Sequence, residues 1–197
     1  MKNIMETREL QVFASFGLMI LKEKRTVYIN DVVTEKMAAL FNLALLEMEM
    51  DSPDEDITVY ISSPGGDVTA GLSMIDTMNT ISCDVRTICT GQASSMAAVI
   101  LMCGTKGKRF ILPHSYVLIH QILAFLGGEM KQATDIEIFA SDISRRKAQL
   151  TELVAEKTGQ DKEKVMRDLE RDYTLNAGEA LEYGIVDSIV SKHGREE

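Results

Sequence analysis

The chain is short of positive charge: 21 lysines and arginines stand against 30 aspartates and glutamates, giving a formal net charge of -9 and a pI near 4.9. A nucleic-acid backbone or an anionic membrane surface needs a basic face, so neither is expected as a partner. Cysteine is also scarce. Cys83, Cys89 and Cys103 lack CxxC spacing and fall in apolar strand or helix contexts. They read as small buried hydrophobes rather than metal ligands or a disulfide framework, which points to a reducing, cytoplasmic setting. No apolar run near the start reaches membrane length: Val12 to Leu21 is too short, follows Glu6 and Glu9, and has no small-residue cleavage site. Neither a signal peptide nor a transmembrane helix is expected.

What is present fits one domain, since 197 residues with 45% hydrophobic side chains are enough for a single sizeable core. Residues 1–24 are ambiguous. Thr26 to Ile29 reads as a short strand, followed by a helix from about Thr34 whose Met37, Leu40, Phe41, Ala44, Leu45 and Met48 recur at three and four. A turn at Ser52 to Glu55 leads to a strand over Ile57 to Ser62, the loop Pro64-Gly65-Gly66-Asp67, and a second helix from about Thr69 to Thr80. The same order of strand, glycine and helix recurs at Val85 to Cys103, which predicts repeated ββα or βα units. Further on come an apolar segment Arg109 to Leu112, a strand Tyr116 to His120, and a long helix from Met130 to Thr158 closed by Gly159. That helix carries Ala133, Ile136, Ala140, Ile143, Lys147, Leu150 and Val154 in a near-heptad stripe that a partner should cover. A charged helix from Asp161, a capped helix from Asn176 to Gly184 with Glu179 at the capping-box position, and a strand Ile185 to Val190 complete the chain. Asp172 falls in the break between those last two helices.

Chemistry concentrates at Gly91 to Ala98, where the strand Val85 to Cys89 meets a glycine and is expected to become a helix carrying Ser94 and Ser95 in its first turn. A serine there is ordinarily a helix cap. The same place, rich in unpartnered backbone amides, also suits an alkoxide or oxyanion. The Pro64-Gly65-Gly66 loop reads either as a plain connection or as a second source of amides, with Gly66 and Met96 donating around one point. His120 alone would be a hydrogen-bonded core histidine; His114 and His193 look like surface residues. Nucleophilic catalysis needs a nucleophile, a base and an orienting carboxylate, and Ser95, His120 and Asp172 supply these in that order. An α/β-hydrolase would show G-x-S-x-G and place its acid before its histidine. Neither holds.

The segments SSPGGD, GQASSMAA, LPHSYVLIHQ, QATDIEI and EALEYGIVDSIV together resemble ClpP, the proteolytic subunit family of the Clp protease, over roughly residues 25–192. The resemblance implies an α/β fold, a ClpP/crotonase-like spiral of ββα units, with a protruding helical handle at about 121–158 in a single peptidase domain spanning 25–197. It implies an N-terminal axial segment at 1–24. It implies a serine endopeptidase with Ser95 as nucleophile, His120 as general base, Asp172 as orienting acid, and the Gly66 and Met96 amides as oxyanion hole. It further implies subunits in two stacked heptameric rings, a tetradecamer enclosing a chamber that degrades unfolded polypeptides and peptides. A ring-shaped AAA+ Clp unfoldase would feed that chamber and consume the ATP, so no cofactor and no metal are expected in this chain.

The sequence departs from the family most between Gln121 and Gly128, where a short HQP and glycine-rich run is replaced by a longer apolar one; Ser62, Ala97 and Thr58 also stand where an asparagine, a glycine and an aromatic are usual. These departures carry a second reading, a structural or regulatory ring subunit that needs an active paralogue. A third, the related enoyl-CoA hydratase and isomerase superfamily, shares the fold and a two-amide oxyanion hole but uses no serine nucleophile with a histidine base.

Overall fold

The structure is a computed structural model that describes residues 10–13, 17–125, 127–128, 130 and 132–190. Its sheet is built around two parallel strands, β4 (Ile57–Ser63) and β5 (Val85–Ser94), and extends on one side through β3 (Thr26–Ile29), β2 (Leu18–Leu21) and β1 (Leu10–Phe13). On the other side β5 pairs in parallel first with β6 (Arg109–Ile111), itself paired with β9 (Ser188–Ile189), and then with β7 (Tyr116–Ile119). β7 in turn pairs antiparallel with β8 (Tyr173–Asn176).

Gly91 is where β5 changes partner. Residues 87–89 lie beside β6 and residues 92–94 beside β7, and between them Gly91 has φ +76° and donates its amide to Ser115 Oγ at 2.8 Å. A side chain would resist that dihedral, so glycine bends the strand from one neighbour to the next. The expected break at Gly91 is thus a bend within the strand: β5 continues to Ser94, and the helix α3 starts only at Met96 (Met96–Met102).

Helices cover the buried face of the sheet. α1 (Glu35–Asp51) is capped by Thr34, whose Oγ accepts from the Met37 amide at 3.2 Å, and it buries Met37, Phe41, Ala44, Leu45 and Met48, as the periodicity predicts. α2 (Val68–Thr80) is capped in the same way by Asp67 and packs beside α1. α3 is buried along its whole length, which explains why Met96 to Met102 is apolar all round. On β4, Ile57, Val59, Ile61 and Ser63 face the core and alternate with half-exposed residues. α4 (Ala133–Thr158), α5 (Lys162–Asp168) and α6 (Ala177–Tyr183) follow; the capping box of Asn176 and Glu179 forms, and Gly159 and Gly184 close their helices at φ +72° and +84°.

Several expectations change. The break holding Asp172 contains β8, a four-residue strand hidden because its last residue, Asn176, is also the helix cap. The final strand shortens to two residues. Part of the ambiguous start, residues 18–21, is a strand of the main sheet with Leu18 and Ile20 in the core, so the expected boundary at residue 24 falls between hydrogen-bonded neighbours. Residues 1–9 and 14–16 of that axial segment lie outside the described residues. Within the chain itself the α4 stripe is covered only toward its C-terminal end: Val154 is buried and Leu150 half-buried, whereas Ala133, Ile136 and Ala140 are exposed. All three cysteines are buried and free, and burial pushes the thiols of Cys89 and Cys103 up to about 12. Among the described residues no helix is long and apolar enough to cross a membrane.

Candidate active site

Three neighbouring strands end at one place. Ser95 follows β5, His120 follows β7, and Asp172 precedes β8, which runs antiparallel to β7. The ladder of β7 with β8 pairs Leu118 with Thr174 and Ile119 with Tyr173. His120 and Asp172 lie one step beyond that ladder and line one pocket together. The ladder of β5 with β7 pairs Ser94 with Leu118, and the Ser95 amide donates to the Leu118 carbonyl at 2.8 Å. Register therefore delivers the three residues to adjacent strand ends.

The structure separates the two serines. Ser94 is the last residue of β5, with its side chain buried. Ser95 sits at φ +55° and ψ -125°, one of two non-glycine residues with positive φ among the described residues, and its hydroxyl makes no capping bond to α3. A β-substituted residue in that conformation stores strain on the order of 1–3 kcal/mol, which the surrounding packing must hold. The simple helix-cap role does not apply. The bend turns the side chain toward a cavity of about 320 Å³ lined by Gly65, Gly66, Ser95, Met96 and His120, with apolar walls from Val68, Val99, Ile119, Leu150, Val154 and Leu169.

The Pro64-Gly65-Gly66 loop presses directly on the serine. A Cβ on Gly65, which has φ +89°, would lie 2.5 Å from the Ser94 carbonyl oxygen and 2.7 Å from Ser95 Cβ. The Val33 amide donates to the Gly65 carbonyl at 2.8 Å and the Asp67 amide to the Val33 carbonyl at 2.9 Å, a bridge that turns the Gly66 amide toward the opposite edge. The Met96 amide is the first of α3 and has no partner in the preceding helical turn. Replacing Gly65 with alanine should displace Ser95 and slow the reaction of its hydroxyl with a fluorophosphonate by about 100-fold, the cost of an error near 1 Å at a reacting atom; labelling rates beside a thermal melt check it, and a folded Gly65→Ala protein labelled at the wild-type rate would show the contact to be unimportant.

Ser95, His120, Gly66 and Met96 thus share one cavity. Asp172 lies with His120, Gln121, Glu170 and Arg171 along an adjoining one. Asp172 is exposed and His120 half-buried. Among the described residues no hydrogen bond joins Ser95 to His120 or His120 to Asp172, an arrangement found in substrate-free sites whose bonds tighten once substrate is bound. The same residues include no group of three or more histidines, cysteines or acids placed to hold a metal. Sequence reading named the Pro64-Gly65-Gly66 loop but missed the contact of Gly65 with Ser95, and it missed the apolar wall. Leu150 and Val154 were visible only as members of a helical stripe, and nothing in that stripe says which cavity it borders.

A family model described as Clp protease matches residues 9–193 of the chain.

Proposed function

The chain belongs to the Clp protease family, and from that premise we propose that it is a serine endopeptidase acting through Ser95, His120 and Asp172. Its mixed α/β architecture accords with the ClpP/crotonase-like fold. The observation that carries the reading is the strand register, with a strained serine whose hydroxyl makes no capping bond, a histidine and an aspartate at the ends of β5, β7 and β8.

In the proposed reaction Ser95 Oγ attacks the peptide carbonyl while neutral His120 takes its proton, and Asp172 orients the imidazole through the other ring nitrogen. Negative charge develops on the carbonyl oxygen, and the Gly66 and Met96 amides donate to it. His120 then gives its proton to the leaving amine as the carbon–nitrogen bond breaks, leaving an ester on Ser95. A water attacks that ester, with its proton passing to His120 and then to Ser95 Oγ as the acid product leaves. The apolar wall fits one large apolar side chain of the polypeptide next to the cleaved bond.

Members of the family assemble in rings that work with Clp ATPases. We propose the same of this chain: stacked heptameric rings, with an AAA+ unfoldase supplying extended polypeptide and consuming ATP, in the cytoplasm. The uncovered N-terminal half of α4 supports a partner beyond the chain's own core, since Ile136 and Ile138 remain 45% and 58% exposed. The altered run from Gln121 to Gly128 favours a second reading, a structural or regulatory ring subunit that needs an active paralogue.

A fluorophosphonate probe on the isolated protein separates the two. The peptidase reading expects one adduct on the peptide containing Ser95; no adduct without a paralogue, and an adduct with one, would favour the second reading.

A further inference from the structure

The β7–β8 ladder stops at Ile119 and Tyr173, one step short of the His120–Asp172 pair. Strand ends that have left their ladder lose the inter-strand bonds that fix them, so these two side chains need another constraint. One lies immediately beyond them. Gln121 Nε2 donates to the Glu170 carbonyl at 3.0 Å, and Lys147 Nζ donates to the Gln121 side-chain oxygen at 3.0 Å and to the Glu170 carboxylate at 3.1 Å. Gln121 directly follows His120, and Glu170 precedes Asp172 by two residues. The pair is therefore bracketed by the ladder on one side and by this cluster on the other.

We propose that Lys147 is a positioning residue for the peptidase reaction, reaching from α4 to staple the strand end that carries His120 to the strand end that carries Asp172. The proposal rests on the triad reading above. Lys147 is the one charged member of the stripe Ala133, Ile136, Ala140, Ile143, Lys147, Leu150 and Val154, where helical periodicity calls for a hydrophobe. Departures from local pattern are expected at functional or strained positions. Its bond and charge hold the Glu170 carboxyl below the usual carboxylate range, with Arg171 adding to the effect. Both side chains remain partly exposed, 31% for Lys147 and 56% for Glu170, and ion pairs so placed contribute little to global stability. The fold does not need the staple, whereas alignment within the site does.

The test compares Lys147→Met and Lys147→Arg with the wild-type protein in three measurements: peptide kinetics, the rate of fluorophosphonate labelling, and hydrogen exchange of the amides at 119–122 and 170–173. Lys147→Met should lower kcat and the labelling rate by about 10- to 100-fold, leave KM within about twofold, barely move Tm, and speed exchange in both segments. Lys147→Arg, which keeps a cation with several donors, should recover most of the rate. Wild-type labelling and exchange in Lys147→Met would overturn the proposal, as would a loss that Tm follows and arginine does not rescue. The exchange readout decides the staple even if the wild-type protein carries no reactive serine, a result that would count against the triad reading alone.

Discussion

Ser95→Ala is expected to abolish peptide hydrolysis, by about 10⁶-fold if it follows the loss seen when a triad serine is removed, while Ser94→Ala retains activity within about tenfold. The contrast follows from the bend. Ser94 is the last residue of β5 and is buried, whereas Ser95, one residue later, takes φ +55° and lines the cavity shared with His120. Removing the Ser95 hydroxyl removes the atom that forms the acyl ester, and what survives is whatever the oxyanion donors and substrate binding accelerate with water alone. Both variants should melt near the wild-type temperature, because neither hydroxyl makes a hydrogen bond within the described residues that its loss would strand. A Ser95→Ala protein with normal turnover, or a dead Ser94→Ala protein that is folded, would sink the assignment.

The largest effect on stability is expected at Asp187. Arg109 is buried at the edge of the core, with its Nε and Nη2 bonded to Asp187 at 2.9 and 2.5 Å and its Nη1 bonded to the Lys157 carbonyl at 2.8 Å. The aspartate also accepts from the Arg109 and Gly107 amides, so one ion pair ties β6, the turn before β9 and the end of α4 together. Asp187→Ala leaves a buried guanidinium without its counter-charge, at a cost of about 3–5 kcal/mol, on the order of 10 °C in Tm for a chain of this size. Replacing Arg109 and Asp187 together with methionine and leucine should cost much less than either single change, because no orphaned charge remains.

The pair also fixes a pH dependence. Burial works to raise the Asp187 carboxyl, but the Arg109 side chain, the Arg109 and Gly107 amides and the guanidinium charge outweigh it and hold the group below its usual range. A carboxyl depressed on folding contributes stability that is complete above its unfolded value, about 3.9, and that is lost as pH falls through the folded value. The gap between wild type and Asp187→Ala should therefore be widest at neutral pH and close in acid. Denaturant melts from pH 7 down to pH 3 measure it; a gap that stays constant or widens in acid would contradict the assigned cause.

The sequence by itself determined what local physics can carry. Periodicity at three and four placed α1, the Asn176 and Glu179 capping box placed α6, and the flanking turn and glycine loop placed β4, because each signal is complete within a few residues of the element it marks. The order Ser95, His120, Asp172 and the glycines before α2 were also legible, and the five family-like segments named the chemistry before any strand was paired. The resemblance had pointed to Ser95 rather than Ser94, but only the tertiary structure gives the physical difference between them, a backbone bend one residue long at the junction of β5 and α3. It alone decided that β5 leaves β6 for β7 at Gly91, and that a short strand hidden by a helix cap runs beside β7. These are pairings between segments far apart in the chain, set by which edges remain open once the core has formed, and no residue reports its distant partner in its own neighbourhood. Lys147 shows the division most clearly: along the sequence it is an irregularity in an apolar stripe, and only the fold places it between the strand ends of His120 and Asp172.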